Sequence, residues 1–154
     1  MDYLIKNAKV VDGTGAPAYT ADVAVTGDTI TQIGSINEPC ANTIDAAGRV
    51  LMPGIIDPHS HADAGIFNSD WSHQRITQGI TTEITGHCGP SPAPNCPENM
   101  ELLRRIYFDL TNTGVPFEWP FHDFKGWLDT VRAQKLSANY GFFVGHGTLR
   151  AYVM

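Results

Sequence analysis

Pro53-Gly54-Ile55-Ile56-Asp57-Pro58-His59-Ser60-His61 is the stretch from which the fold of this chain is read. Ile55-Ile56-Asp57 has the composition of a short buried strand, and the prolines at 53 and 58 bound it sharply. Two histidines follow at a spacing of two. In extended backbone such residues point to the same side, so both imidazoles face one point, as a shared metal ion requires. The carboxyl end of a strand is also where α/β proteins place their sites. For an arbitrary His-x-His, two polar side chains in a surface loop are the plainer alternative. The placement directly after a buried strand favours the metal.

Downstream the pattern alternates. A helix is expected over Ser69 to Gln78, with Asn68 as N-cap and Gly79 as the stop. Ile80-Thr81-Thr82-Glu83-Ile84-Thr85 is β-branched and reads as a second strand, running into the loop Gly86-His87-Cys88-Gly89-Pro90-Ser91-Pro92-Ala93-Pro94. Pro97 opens a helix with Leu103, Ile106, Tyr107 and Leu110 on one face, ending before Gly114. Another helix follows Pro120, with Phe124, Trp127, Leu128 and Val131 at core spacing. Asn139-Tyr140-Gly141-Phe142-Phe143-Val144 is the third buried strand, and Gly145-His146-Gly147 follows it.

Upstream the elements are short strands. Tyr3 to Val11 ends at the turn signal Asp12-Gly13; Val23 and Val25 lead through Gly27-Asp28 to Ile30 and Ile33 as a hairpin. Asn42 to Val50, interrupted by Gly48, gives one more. Hairpins followed by alternating strands and helices predict an α/β protein, a small β domain over residues 1–51 beside a parallel β/α layout over 52–154. Roughly 100 residues follow Leu51, whereas a closed eight-fold barrel takes about 250. The chain is therefore expected to be the front part of a longer protein.

Other side chains in this layout carry chemistry. Cys88 lies just past the second strand among small residues that let a ligand approach closely. Its thiolate suits zinc at about 2.3 Å; a small buried hydrophobe is the equal alternative. His146 follows the third strand between two glycines and is a candidate for substrate or metal contact, or for a simple loop hydrogen bond. His87 neighbours Cys88 but points away from it if the loop is extended, which leaves it a supporting role. His73 and His122 fall in expected helices, as surface or capping residues. Cys40 and Cys96 read as packing or surface thiols, and Arg150 as a solvated or salt-bridged cation.

Composition narrows the classes. At 42% hydrophobic and 17% charged residues the chain has globular composition, which excludes a disordered or coiled-coil protein. A net charge of −6 lacks the basic footprint of a nucleic-acid or anionic-membrane binder. No apolar run approaches the roughly 18 residues of a membrane span, and no export signal is visible at the start. Three cysteines do not make a disulfide framework, so a reducing, cytoplasmic setting is expected.

The thin N-terminal β region followed by Pro53-Gly54-Ile55-Ile56-Asp57-Pro58-His59-Ser60-His61 resembles the opening of the amidohydrolase superfamily. Gln78-Gly79-Ile80-Thr81-Thr82, the Cys88 loop and Gly145-His146-Gly147-Thr148-Leu149-Arg150 resemble its D-aminoacylase branch, the N-acyl-D-amino-acid deacylases, and the likeness runs through essentially all 154 residues. The His-x-His is specific only to the superfamily, the cysteine loop to the branch. The resemblance implies the N-terminal part of a metal-dependent (β/α)8 TIM barrel preceded by a small β-sandwich. It also implies zinc-dependent hydrolysis of the linear amide of a small-molecule N-acylated D-amino acid. The metal ligands it implies are His59, His61 and Cys88, with Cys88 in the bridging place that a carboxylated lysine takes in hydantoinases and dihydroorotases. The family's two later histidines and its late general acid/base aspartate match no position here, so the 154 residues alone are expected to be inactive. The branch pattern has Asn where this chain has His87. Two alternatives remain: a cyclic-amide hydrolase of the dihydroorotase or hydantoinase type, and a non-catalytic amidohydrolase-like protein.

Overall fold

A computed structural model describes residues 1–66, 69–111 and 119–154. It is an α/β chain of two compact units, Met1–Pro53 and Gly54–Met154. The expected cap Asn68, the expected stop at Gly114, and the side chains of Ile106, Tyr107 and Leu110 lie outside what is described.

The first unit is one mixed sheet. β1 (Tyr3–Val10) pairs antiparallel with β2 (Tyr19–Thr26), which turns at Gly27-Asp28 into β3 (Thr29–Gly34), the expected hairpin. The segment expected as one strand over 42–50 is two, β4 (Thr43–Asp45) and β5 (Val50–Leu51), and both run parallel to β1. Ala47 and Gly48 break it, each in the left-handed region at φ 50° and 78°. Another left-handed residue, Asn7 at φ 56°, sits where the β1–β2 register shifts between Ile5 and Ala8. An inserted residue of this kind reverses the side-chain phase of a strand. As a result Ile5, Ala8 and Val10 join Ala21, Val23 and Ala46 in one cluster. Leu4 joins Ala24 and Ile36 in a second. Val23 and Ala24 are adjacent in β2, so the two clusters occupy opposite faces.

The second unit has a three-stranded parallel sheet in the order β6 (Ile55–Asp57), β7 (Ile80–Thr85), β8 (Asn139–Phe142). Helix α1 (Ser69–Ile76) connects β6 to β7, and α2 (Pro97–Thr111) and α3 (Phe124–Arg132) lie between β7 and β8. Parallel neighbours require such crossovers. Asp123 caps α3 by accepting from the Gly126 N–H at 2.7 Å. The face expected on α3 is the one that packs: Trp127 and Val131 are buried with Phe121, Ala93 and Ile66, and Leu128 and Phe124 lie against them. Trp127 meets Phe121 and Phe142 edge-on, at ring separations of 5.1 and 5.4 Å, which seats α3 on β8.

Two expectations are corrected in this unit. β6 and the end of the third strand are not buried: Ile55, Ile56, Phe143 and Val144 are exposed. β6 and β8 are the sheet's edges, each with one neighbour among the described residues. The third strand also stops at Phe142, two residues early, and Gly145 caps a helix, α4 (His146–Val153), that the pattern did not suggest. His122 precedes α3 instead of lying within it, and its Nδ1 is 3.1 Å from Asn95 Oδ1. Among the described residues no helix is long and apolar enough to cross a membrane.

Candidate metal centre

The two histidines leave the sheet just beyond β6, where the chain still follows β7. Asp57 pairs across to Glu83, and three residues later the Ser60 N–H donates to the Ile84 carbonyl at 2.9 Å. The His59 N–H donates to Asp57 Oδ1 at 3.1 Å. Ser60 is buried between two more open histidines. Its hydroxyl donates to Glu83 Oε2 at 2.6 Å and accepts from the Ala62 N–H at 3.1 Å.

Cys88 reaches the same place from β7 by an unusual path. Gly86 has φ +85°, and a Cβ there would lie 2.1 Å from the Phe143 carbonyl oxygen, so only glycine fits. Cys88 is itself left-handed at φ 59°, a conformation that costs a non-glycine residue about 1–2 kcal/mol. Its sulfur is thereby turned back toward β6, 3.3 Å from His59 Nε2. One ligand atom each from His59, His61 and Cys88 lies within 4.8 Å of the others, with His59 and Cys88 exposed and His61 half-buried. Zinc with N and S ligands at about 2.0–2.1 and 2.3 Å holds them about 3.5 Å apart in a tetrahedron. The His59–Cys88 spacing thus fits one ion, and His61 offers a ligand atom within 4.8 Å of both. Two imidazoles and a thiol suit zinc or a similar borderline divalent metal.

The surrounding electrostatics favour ligation. Burial, and then the neighbouring His59 and His87 rings, hold the His61 imidazole below its ordinary value, toward the neutral form that binds metal. His87 does not point away as the extended reading requires. The left-handed turns at Gly86 and Cys88 bring its ring onto His59, stacked at 4.2 Å and 20°, with Phe143 edge-on behind it at 5.4 Å. Beneath the histidines, Arg75 Nη1 of α1 lies 3.1 Å from Asp57 Oδ2 and 2.8 Å from Glu83 Oε2. Glu83 is fully buried. Burial, and then the Glu83 carboxylate, push the Tyr140 phenol up to about 12.

His146 is the first residue of α4, exposed, and outside the three-residue ligand group. Its neighbours Gly145 and Gly147 pack on the cysteine loop; a Cβ on Gly145 would lie 2.2 Å from the Gly89 carbonyl oxygen. Ser91 and Thr148 close that contact: the Ser91 N–H donates to Thr148 Oγ1 at 2.8 Å, and the Gly145 N–H to Ser91 Oγ at 2.9 Å. Cys40 lies in the first unit, and Cys96 leads into α2; neither joins the group. Arg75, Glu83 and Ser60 were missed from sequence. A glutamate in a strand otherwise made of threonine and isoleucine was the available signal, since a buried carboxylate demands a partner.

Comparison with known proteins places this geometry. The profile described as the amidohydrolase family matches residues 42–135. A D-aminoacylase from Alcaligenes xylosoxydans xylosoxydans is 37% identical over 154 residues, covering 99% of this chain and 31% of that protein. An N-acyl-D-aspartate deacylase from the same organism is 36% identical over 158 residues, covering 99% of this chain and 30% of that one. A crystal structure of N-acyl-D-glutamate deacylase from Bordetella bronchiseptica, complexed with zinc and a phosphonate mimic of the tetrahedral intermediate, superposes with a TM-score of 0.83. It is 33% identical and covers 99% of this chain and 31% of that one. The chain thus spans about a third of the length of the relatives it matches. Matched by the profile over more than half of its residues, the chain belongs to the amidohydrolase family.

Proposed function

We propose that this chain carries part of the metal centre of a zinc-dependent N-acyl-D-amino-acid deacylase, which hydrolyses a linear amide to a carboxylate and a free D-amino acid. The observation that carries this reading is the 3.3 Å approach of Cys88 to His59, beside His61, at the ends of adjacent parallel strands. The named relatives that match the whole chain are deacylases of this kind, and one of them was solved with zinc. In this reading β6, β7 and β8 are the opening strands of a TIM barrel over residues 52–154, and residues 1–51 are part of a small β-sandwich. The requirement for a free thiolate fits a reducing, cytoplasmic setting.

Zinc held there would supply Lewis-acid polarisation of the scissile carbonyl and a water acidic enough to ionise at about pH 7. His59 and His61 would hold such an ion through imidazole nitrogens and Cys88 through its sulfur. In this reading His146, exposed beside the cysteine loop, would contact the substrate. A lysine in the role of Cys88 would favour the cyclic-amide alternative, and none stands near that position, the sequence having no lysine between Lys9 and Lys125. By itself the 154-residue chain offers no residue matched to the general acid/base and is expected to show no turnover.

Titration of the full chain with Co2+ tests the centre. A thiolate-to-cobalt absorption band is expected in the native chain and in Cys40→Ser and Cys96→Ser, and is expected to vanish in Cys88→Ser. Persistence of the band in Cys88→Ser overturns the assignment. Zinc-dependent release of free D-amino acid by a protein containing this chain separates the deacylase from a non-catalytic relative.

A further inference from the structure

We propose that Ser60, Glu83 and Arg75 are positioning residues that fix the backbone between the two histidines and so aim both imidazoles at Cys88. The inference rests on the metal-centre reading above and adds residues that touch neither metal nor substrate.

Ser60 is the residue between the two ligands, and the chain holds it from three directions. Its N–H donates to the Ile84 carbonyl at 2.9 Å, its hydroxyl donates to Glu83 Oε2 at 2.6 Å, and the same hydroxyl accepts from the Ala62 N–H at 3.1 Å. Those bonds fix the peptide planes on both sides of Ser60, and the Cα–Cβ directions of His59 and His61 follow from those planes. Two residues before His59, Asp57 Oδ1 accepts from the His59 N–H at 3.1 Å. The acceptors are themselves held. Arg75 Nη1 reaches Glu83 Oε2 at 2.8 Å, Asp57 Oδ2 at 3.1 Å and Ser60 Oγ at 3.4 Å. One guanidinium from α1 therefore ties the end of β6 to β7 directly below the ligands.

A strand end does not need this arrangement to pair. The backbone bonds of β6 to β7 would survive with an alanine at 60 and an apolar residue at 83. Burying Glu83 completely is costly unless it is paired and hydrogen-bonded; besides the Tyr140 phenol beside it, its Oε2 bonds to the residue between the ligands and to the guanidinium that also holds Asp57. Groups behind metal ligands that set their orientation commonly change metal affinity 10- to 100-fold when removed.

The test uses Co2+ affinity and the cobalt absorption spectrum of the full chain, with circular dichroism as the check on folding. If the native chain binds no Co2+, the metal-centre reading fails, and this inference falls with it. If it binds, Ser60→Ala is expected to weaken binding about 10- to 100-fold and to shift the cobalt bands while the chain stays folded. Ser60→Thr keeps the hydroxyl and is expected to restore both. Arg75→Lys keeps the charge but loses the guanidinium's reach, and falls between the two. Native affinity and spectrum in Ser60→Ala would overturn the inference with the metal-centre reading intact. So would loss of folding in Ser60→Ala, which would make the hydroxyl a folding element only.

Discussion

Strand β1 of the Met1–Pro53 unit has partners on both sides, β2 on one and β4 and β5 on the other. Among the described residues of the Gly54–Met154 unit only β7 is flanked on both sides, and Ile55 and Ile56 of β6 and Phe143 just past β8 are exposed. The first unit distributes small side chains, Ala8, Val10, Ala21, Val23 and Ala46, over one face and Leu4, Ala24 and Ile36 over the other. The second gathers large aromatics around Trp127. It also spends its fully flanked strand on a buried glutamate and on the turn that carries Cys88. The difference is one of core construction: the first unit builds two small cores on the faces of one sheet, and the second packs its helices on one aromatic centre and brings His59, His61 and Cys88 together beyond its strand ends.

The sharpest way to break this comparison is to empty the aromatic cluster. Trp127 is wholly buried and touches Phe121 and Phe142. Trp127→Ala is expected to cost about 3–5 kcal/mol in denaturant unfolding. Val23→Ala, in the distributed core, removes far fewer atoms and is expected to cost about 1–2 kcal/mol. Amide hydrogen exchange assigns each loss to its unit. Equal losses would mean that the second unit does not depend on one aromatic centre.

The same contrast governs what was legible in the sequence. The Gly27-Asp28 hairpin and the bounds of β7 follow from local patterning, because turn chemistry and β-branched runs act within a few residues. The parallel pairing of β4 and β5 with β1 depends on chain segments about 40 residues apart and left no local trace. His59 and His61 were legible by a spacing of two just after a strand, and their ligand atoms lie within 4.8 Å of each other and of that of Cys88. The orientation of His87 was not, because the positive φ at Gly86 and Cys88 breaks the alternation from which it was judged. Helix α4 was hidden because Gly145-His146-Gly147 reads as a loop; its start is held by Ser91 and Thr148 contacts across more than 50 positions. The bond of Glu83 to Ser60 joins residues 23 positions apart, beyond any periodic signal.

A medium effect sharpens the claim that the second unit gives up stability for chemistry. Cys88 is held at φ 59°, where glycine carries no Cβ penalty and alanine does. Cys88→Gly and Cys88→Ala both remove the thiol and should both abolish Co2+ ligation. Cys88→Gly is expected to be the more stable of the two by about 1 kcal/mol, read from denaturant midpoints at equal slope. If alanine proves as stable as glycine, the left-handed turn is not a strain that the thiol's placement imposes.

The smallest effect concerns the first unit and its acid response. Asp22 accepts from the Asn7 N–H at 2.9 Å and the Ile36 N–H at 3.2 Å, with Lys6 3.7 Å away. Those backbone bonds first, and then Lys6, hold its carboxyl below the ordinary value. A folded-state value below the unfolded one means the carboxylate stabilises the fold above about pH 4. That contribution is lost as pH falls through the lowered folded value. Asp22→Asn keeps the shape but removes the charge, so it should lower stability at neutral pH and flatten the decline on the acid side. Hydrogen exchange of the β1 and β2 amides reads this directly, with the β7 and β8 amides as the internal reference. Because Asp22 ties the left-handed Asn7 to the loop at Ile36, the loss should spread through both faces of the first sheet. An acid decline in the β1 and β2 amides as steep in Asp22→Asn as in the native chain would place the first unit's acid sensitivity elsewhere. Asp45 is then the candidate, held low first by the Asn7 side-chain amide and then by the Ala47 N–H.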